Sequence, residues 1–285
     1  MIRSSVTISL VPEAKGGPFV FWGDLEGSCA KAAKLGFDAV EIFAPSPDAL
    51  GRSDVKETLA KNKLALAAAG TGAGWLLQKL RLTDPDESIR KRAQEFAGQM
   101  IDAAGSLGAS AIVGSLQGRF EVSVTREQAL DWLAAALNEL GERAEDHGVP
   151  LLFEPLNRYE TNLINSVEDG VVLLNRLQSR NVRLLADLFH MNIEERSISE
   201  AIHFGASTIG HVHFVDSNRR AAGRGHIDFA AVITALHDIE YHGFLSAEAL
   251  PYPDSEAAAT QTIETFKKFV RSRPDPLTTA YESED

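Results

Sequence analysis

This sequence has a single cysteine, no long apolar run and no net positive charge. Cys29 is the only cysteine among 285 residues, which excludes an internal disulfide and a cysteine-based zinc site. No stretch reaches the roughly 18 consecutive apolar residues that a membrane-spanning helix needs. The first ten residues also lack the apolar core of a secretory signal. We therefore expect a cytoplasmic protein that has no membrane partner.

The charge balance argues against a nucleic-acid partner. The chain carries 28 Lys and Arg against 40 Asp and Glu, which gives a formal net charge of −12 and a pI near 5.2. Binding to a phosphate backbone needs a concentrated cationic surface, whereas the basic residues here are scattered. Hydrophobic residues make up 44% and charged residues 24%, which is typical of a globular chain with a sizeable core.

Short apolar or β-branched runs alternate along the chain with longer stretches of helical period, which is the pattern of βα units. Eight such runs predict strands over Val6–Leu10, Asp38–Phe43, Ala65–Gly70, Ser110–Ser115, Pro150–Glu154, Val182–Asp187, Ile209–Val215 and Phe244–Ala249. The clearest helix signal follows the fourth strand. There Thr125 and Gln128 have capping-box spacing, a leucine stripe follows them, and Gly148 stands where a helix-ending glycine belongs.

Eight βα units favour a single closed (β/α)₈ TIM barrel over an open doubly wound sheet, because the last strand can pair with the first. The length agrees, since such a barrel commonly takes about 250 residues. No Gly-x-Gly-x-x-Gly follows the first strand, so we do not expect a dinucleotide-binding fold. We predict one barrel domain over residues 1–272 and a short C-terminal extension over residues 273–285.

Polar residues end four consecutive predicted strands, the fifth to the eighth. These residues are Glu154, Asp187, His213 and Glu248, which lie 26 to 35 residues apart. Because the chemistry of a barrel gathers at the carboxyl ends of its strands, we expect them to converge at one mouth. Three carboxylates there would repel one another without a cation, and oxygen ligands with one nitrogen suit Mn²⁺ or Mg²⁺, with Co²⁺ tolerated. The structural alternative is that each carboxylate has its own ion pair or helix cap.

Two further polar residues accompany these strand ends. His211 lies two residues before His213 and faces the same side of its strand, where we expect it to be a core histidine that packs or orients its neighbour. Glu41 lies near the carboxyl end of the second predicted strand and faces the mouth. Contact with a substrate and an ion pair with a neighbouring lysine are both open for Glu41.

Two stretches resemble the xylose isomerase-like sugar isomerase and epimerase superfamily. Residues 153–161 read FEPLNRYET and residues 186–195 read ADLFHMNIEE, and HVHFVDSNR at 211–219 adds to the likeness. Within the superfamily they are similar to ketose 3-epimerases, typified by D-tagatose and D-psicose 3-epimerases, with L-ribulose-5-phosphate 3-epimerases as close relatives. The resemblance implies a metal-dependent barrel enzyme that commonly forms homodimers or homotetramers.

The resemblance also implies roles for individual residues. It implies that one divalent metal ion per subunit, Mn²⁺ with Co²⁺ or Mg²⁺ as alternatives, is bound by Glu154, Asp187, His213 and Glu248. It implies that the sugar is held by Glu160, His190 and Arg219. From the residues alone, Glu160 and Arg219 are equally well explained as solvated loop charges, and His190 as a helix cap.

Together these features predict an isomerase that epimerises a ketose or ketose phosphate at C3 through a metal-stabilised enediolate. Glu154 and Glu248 would be its catalytic acid and base, one on each face of the sugar. Two other reactions suit the same scaffold: aldose–ketose isomerisation of the hydroxypyruvate type, and elimination from a 3-oxo sugar by a lyase or deglycosylase. A barrel that binds metal or sugar without turnover is the non-enzymatic alternative.

Overall fold

A single sheet of parallel strands closes on itself in the part of the chain that the computed structural model describes, residues 1–271. The strands are β1 (Arg3–Ser9), β2 (Phe21–Trp22), β3 (Ala39–Phe43), β4 (Ala65–Gly70), β5 (Ser110–Val113), β6 (Leu151–Phe153), β7 (Val182–Asp187), β8 (Ile209–His213) and β9 (Phe244–Ala247). β1 and then β3 to β9 pair in chain order, and β9 pairs with β1 to complete an eight-stranded barrel. The short β2 pairs only with the end of β1.

Helices occupy the connections between the strands. They are α1 (Leu25–Leu35), α2 (Pro47–Leu50), α3 (Ser53–Asn62), α4 (Ala73–Gln78), α5 (Glu87–Gly105), α6 (Arg126–Glu145), α7 (Val167–Arg176), α8 (Leu188–Glu194), α9 (Ile198–Gly205), α10 (Phe229–Asp238) and α11 (Ser255–Phe266). A π-helical turn follows at Lys267–Arg271, and 3₁₀ turns lie at Pro12–Ala14, Ser115–Gln117 and Ala206–Thr208. None of the helices within residues 1–271 has the length and apolar character to cross a membrane.

The architecture confirms the predicted (β/α)₈ barrel. Each of the eight predicted strands overlaps one barrel strand, although β1 begins three residues earlier, at Arg3, and several strands end one or two residues sooner. The predicted cap of α6 is present, since the Thr125 side chain accepts a hydrogen bond from the Gln128 N–H. The predicted extension over 273–285 lies outside the described residues, so the division into residues 1–272 and a tail stays a prediction.

Buried residues form two separate apolar clusters. The larger one lies between the strands and the surrounding helices. The smaller one consists of Ala68, Ile112, Leu152 and Leu185, from the four adjacent strands β4 to β7. In the strand register, Glu41 is the partner of Ala68 and His211 is the partner of Leu185. The buried Glu41 and His211 therefore lie level with these four apolar side chains in the barrel.

Candidate metal centre and active site

A cavity of about 510 Å³ opens at the carboxyl ends of the barrel strands. Its ionisable lining includes Glu13, Glu41, Glu154, Glu160, His190, His213, Arg219 and Glu248. Aromatic side chains, among them Phe19, Phe43, Trp75 and Phe189, line its other walls. The cavity thus combines a charged group of side chains with an apolar surface, as small-molecule sites commonly do.

The four residues predicted to bind a metal converge beside this cavity, and three of them, Glu154, His213 and Glu248, line it. Glu154 follows β6, Asp187 ends β7, His213 ends β8 and Glu248 follows β9. One ligand atom from each lies within 4.8 Å of those of the other three. His213 Nδ1 is 2.9 Å from an Asp187 oxygen and 3.4 Å from one oxygen of each glutamate. We call these four residues the carboxylate cluster.

The carboxylate cluster fits a divalent cation. Glu154 Oε1 is buried and, within residues 1–271, accepts no hydrogen bond, which is costly for a carboxylate oxygen unless a cation is there. Three carboxylates and the nearby Arg219 guanidinium leave two negative charges unbalanced if His213 is neutral. The donor atoms are oxygens and one imidazole nitrogen, the set that hard and borderline divalent ions accept.

The pKa values of Asp187 and His213 also indicate that the carboxylate cluster favours positive charge. Burial alone would raise the pKa of Asp187, but the Arg219 guanidinium and the hydrogen bond from His213 outweigh it and hold that pKa below its usual range. Burial would lower the pKa of His213, yet the charge of Glu41 and hydrogen bonds to carboxylates raise it well above its ordinary value. In the absence of an ion, the site therefore favours a charged imidazole at this position.

Two of the three predicted sugar-binding residues, His190 and Glu160, are joined by Asn157. His190 Nδ1 accepts from the Asn157 backbone N–H at 3.2 Å, and the Asn157 side-chain amide donates to Glu160 at 3.0 Å. His190 is 4% exposed, and its Nε2 lies 3.8 Å from Glu154 Oε1. The predicted helix-cap alternative is wrong for His190, because the Asp187 side chain caps α8. Asn157 itself was missed in the sequence, although it stands inside the FEPLNRYET stretch.

Arg219 is held inside the cavity and is not a solvated loop charge. Its guanidinium donates to Asp187 Oδ2 and to Glu248 Oε2, and its side chain is 11% exposed. It also lies over the Phe189 ring, 5.0 Å from the ring centroid. Its backbone is left-handed, at φ 60. By contrast, the Glu160 side chain is 49% exposed at the rim, so its assignment to sugar binding stays a prediction.

Glu41 has no lysine partner among the described residues, so that alternative is wrong. Its two carboxylate oxygens are 3.2 Å from His213 Nε2 and 2.9 Å from His211 Nε2. Burial acts to raise the pKa of Glu41, but the two histidines outweigh it and keep the pKa well below the usual range. These three side chains also lie close enough together to surround an ion.

Comparison with known proteins gives consistent matches. The model of the xylose isomerase-like TIM barrel family matches residues 29–269. The chain is 35% identical over 228 residues to D-psicose 3-epimerase from Ruminiclostridium cellulolyticum, covering 76% of this chain and 75% of that protein. It is 30% identical over 244 residues to L-ribulose 3-epimerase from a Methylomonas species, covering 82% and 83%. The crystal structure of D-psicose 3-epimerase with D-tagatose from Clostridium cellulolyticum H10 aligns with a TM-score of 0.76 at 25% identity, covering 94% and 99%.

Proposed function

The chain belongs to the xylose isomerase-like TIM barrel family, and we propose that it is a divalent-metal-dependent epimerase that inverts C3 of a ketose. Its curated relatives are epimerases, so the chain is an enzyme of the isomerase class. The observation that carries the proposal is the convergence of four ligand side chains, Glu154, Asp187, His213 and Glu248, beside a cavity that three of them line. A cytoplasmic location and a homodimeric or homotetrameric state stay predictions.

The carboxylate cluster would hold the metal ion, with Mn²⁺ expected and Co²⁺ or Mg²⁺ as alternatives. When bound, the ion would polarise the ketose carbonyl and stabilise the negative charge that forms on its oxygen during deprotonation. Oε1 of Glu154 supports this assignment, because it is a buried carboxylate oxygen that accepts no hydrogen bond within residues 1–271.

Glu154 and Glu248 are the proposed acid–base pair. They extend from β6 and β9, on either side of the strands that carry Asp187 and His213. One oxygen of each belongs to the carboxylate cluster, which leaves the other oxygen of each carboxylate for proton transfer. One glutamate would take the proton from C3 and the other would return a proton to the opposite face, which inverts that carbon.

His190, Glu160 and Arg219 are proposed to orient the sugar. Because His190 Nδ1 accepts a backbone hydrogen bond, its Nε2 carries the proton and can donate it to a ketose oxygen. Glu160 at the rim would accept from a hydroxyl group. The planar fork of Arg219 would bind neighbouring oxygens while its charge stays near Asp187.

The charges that line the cavity favour a free ketose over a ketose phosphate. Among the residues of 1–271 that line it, Arg219 is the one lysine or arginine, and two carboxylates already engage its guanidinium. Phosphate recognition commonly uses several cationic or N–H donors together. The rest of the lining includes Phe19, Phe43 and Trp75 with the acidic Glu13, which is a poor environment for a dianion.

The test is solvent-deuterium incorporation. We would strip the protein with EDTA, reload it with Mn²⁺, and incubate it in deuterated water with free ketoses, ketose phosphates and aldoses. NMR should show deuterium at C3 of a free ketose and of its epimer, with no exchange in the stripped protein. E154Q and E248Q should each lose exchange, whereas D84N, which alters a buried carboxylate outside the cavity, should keep it.

Other outcomes separate the alternatives. Deuterium at C1 or C2 instead of C3 would identify an aldose–ketose isomerase, and elimination from a 3-oxo glycoside would identify a lyase. Sugar binding without any exchange in Mn²⁺-loaded protein would leave a non-catalytic binding barrel. A preference for phosphorylated ketoses would contradict the argument from the charges of the cavity.

A further inference from the structure

We propose that Glu41 is a positioning residue of the metal centre, which fixes His213 so that its Nδ1 is the ligand atom. The inference rests on the proposed function, because it concerns the ion that the carboxylate cluster would hold. Glu41 belongs to β3 and His213 to β8, two strands that are not neighbours in the barrel. The contact between them therefore crosses the barrel interior.

Each carboxylate oxygen of Glu41 is hydrogen-bonded to a different histidine. Oε1 of Glu41 is 3.2 Å from Nε2 of His213, and Oε2 is 2.9 Å from Nε2 of His211. Glu41 is 4% exposed and each histidine 1%, so water has little access to compete for these groups. The two imidazole rings stand nearly perpendicular, at 84°, which lets each direct one nitrogen at a separate oxygen.

The direction of the hydrogen bonds assigns the tautomer of His213. An ionised carboxylate only accepts hydrogen bonds, so the Nε2 of each histidine must be the donor. Nδ1 also faces a carboxylate, Asp187, so both nitrogens of His213 donate while no ion is bound. When the carboxylate cluster holds an ion, Nε2 keeps the proton that it donates to Glu41, and the lone pair that His213 offers the ion lies on Nδ1. That nitrogen faces Asp187, at 2.9 Å, and the two glutamates of the carboxylate cluster. Glu41 thus selects which nitrogen of His213 is available to a metal ion.

His211 completes this arrangement from the same strand. It donates to the second oxygen of Glu41, so both oxygens of a buried carboxylate have a partner. With both oxygens engaged, the Glu41 carboxylate is held against rotation and its acceptor toward His213 stays in place. This explains why a second histidine lies two residues before the proposed ligand without joining the carboxylate cluster.

The experiment measures metal affinity in four variants. Mn²⁺ binding would be followed by calorimetry and by the EPR signal of free Mn²⁺ for wild type, E41L, E41Q, H211L and D84N. E41L removes both acceptors, and we expect Mn²⁺ affinity to fall about 10- to 100-fold. E41Q keeps one carbonyl acceptor for His213 and should retain most of the affinity. H211L should lose less affinity than E41L, and D84N, which removes a buried charge outside the cavity, should lose none.

A second measurement does not depend on any substitution. Long-range ¹H–¹⁵N spectra of the Mg²⁺-loaded wild-type protein should show the His213 proton on Nε2 and none on Nδ1. Melting curves in EDTA would identify any variant that fails to fold, and for such a variant the wild-type spectrum decides.

The outcomes distinguish this inference from the proposed function. If wild type binds no divalent metal ion, both are wrong. If wild type binds one Mn²⁺ and E41L binds it equally well, or if E41Q is as impaired as E41L, only the role of Glu41 is overturned. Binding of two ions per chain, or a His213 proton on Nδ1 in the loaded protein, would also overturn it, because Glu41 would then act as a ligand or His213 would coordinate through Nε2.

Discussion

The backbone amide of Asn157 and its side-chain amide both point at Nδ1 of His190, across 3.2 and 2.7 Å. The side-chain oxygen of Asn157, Oδ1, accepts from the Tyr159 N–H, which fixes the side-chain NH₂ on the side of His190 and Glu160. A backbone N–H can only donate, so Nδ1 of His190 is an acceptor. His190 is therefore presented to the cavity as a neutral imidazole with its proton on Nε2.

This relationship predicts opposite consequences for two substitutions at residue 157. N157D places a carboxylate beside Nδ1 of His190. The carboxylate favours a proton on Nδ1, so Nε2 no longer has to carry the proton that it would donate to the sugar. We expect kcat/KM for epimerisation to fall about 10- to 100-fold, as when a buried hydrogen-bond partner is lost. N157L keeps the backbone N–H and should lose less. Ring ¹⁵N spectra of His190 would check the tautomer, and equal damage in both variants would contradict this explanation.

We expect the free energy of unfolding to fall in alkaline solution, because two buried groups, the Cys29 thiol and the Tyr241 hydroxyl, resist ionisation in the folded protein. Burial, with a smaller contribution from the charge of Asp24, raises the pKa of Cys29 from 9.0 to about 12. Burial also raises the pKa of Tyr241 well above its ordinary value. Above pH 9 the thiol ionises in the unfolded chain but not in the folded one. Its contribution to the free energy of unfolding is therefore complete below pH 9 and is lost as the pH rises toward 12.

C29A tests this pH dependence. Between about pH 8 and about pH 10.5, wild type should lose more unfolding free energy, measured in urea, than C29A loses. The native thiol should also stay unreactive toward alkylating reagents until the protein unfolds. Identical losses in the two proteins would show that the Cys29 thiol does not contribute.

The barrel and the carboxylate cluster were predictable for the same reason. In a parallel βα repeat every strand ends at the same mouth, so the order along the chain is enough to bring Glu154, Asp187, His213 and Glu248 together. No side-chain direction had to be known. The βα topology places all strand ends at one mouth of the barrel. In the sequence, the polar residue at each strand end interrupts an apolar run.

The residues that could not be predicted depend on distant partners. Glu41 was visible as a polar strand end, but the histidines that pair with it lie 170 and 172 residues away, on a strand that is not its neighbour. Asn157 acts on His190, 33 residues later. Arg219 turns into the cavity because a left-handed loop residue directs its side chain there, which no periodicity indicates. The family resemblance found Arg219 where the spacing of residues did not.

Gly114 offers a way to disturb the carboxylate cluster without removing a carboxylate. It follows β5 directly, and a Cβ atom built on it would lie 2.5 Å from Glu154 Oε2. G114A should displace the Glu154 side chain and lower Mn²⁺ affinity about tenfold, within the range for residues that orient ligands. In the control G51A, the added Cβ would be 3.4 Å from the nearest atom, so affinity should not change. Unaltered Mn²⁺ binding by G114A would contradict this prediction.

Arg219 should affect metal binding and turnover in opposite directions. Its guanidinium donates to Asp187 and Glu248, two members of the carboxylate cluster, so it places a positive charge beside the proposed ion. Close charges interact by about 4 kcal/mol at the effective dielectric of a protein surface. R219M removes that repulsion, and we expect calorimetry to show Mn²⁺ bound at least about tenfold more tightly.

R219M also removes the guanidinium fork that would bind substrate oxygens, so kcat/KM should fall about 100-fold although Mn²⁺ is bound more tightly. R219K keeps the charge without the fork and should lose turnover while metal affinity stays near that of wild type. If R219M instead weakened metal binding, Arg219 would be a structural support of the carboxylates, because a cation that only competes with the ion cannot lower its affinity by being absent.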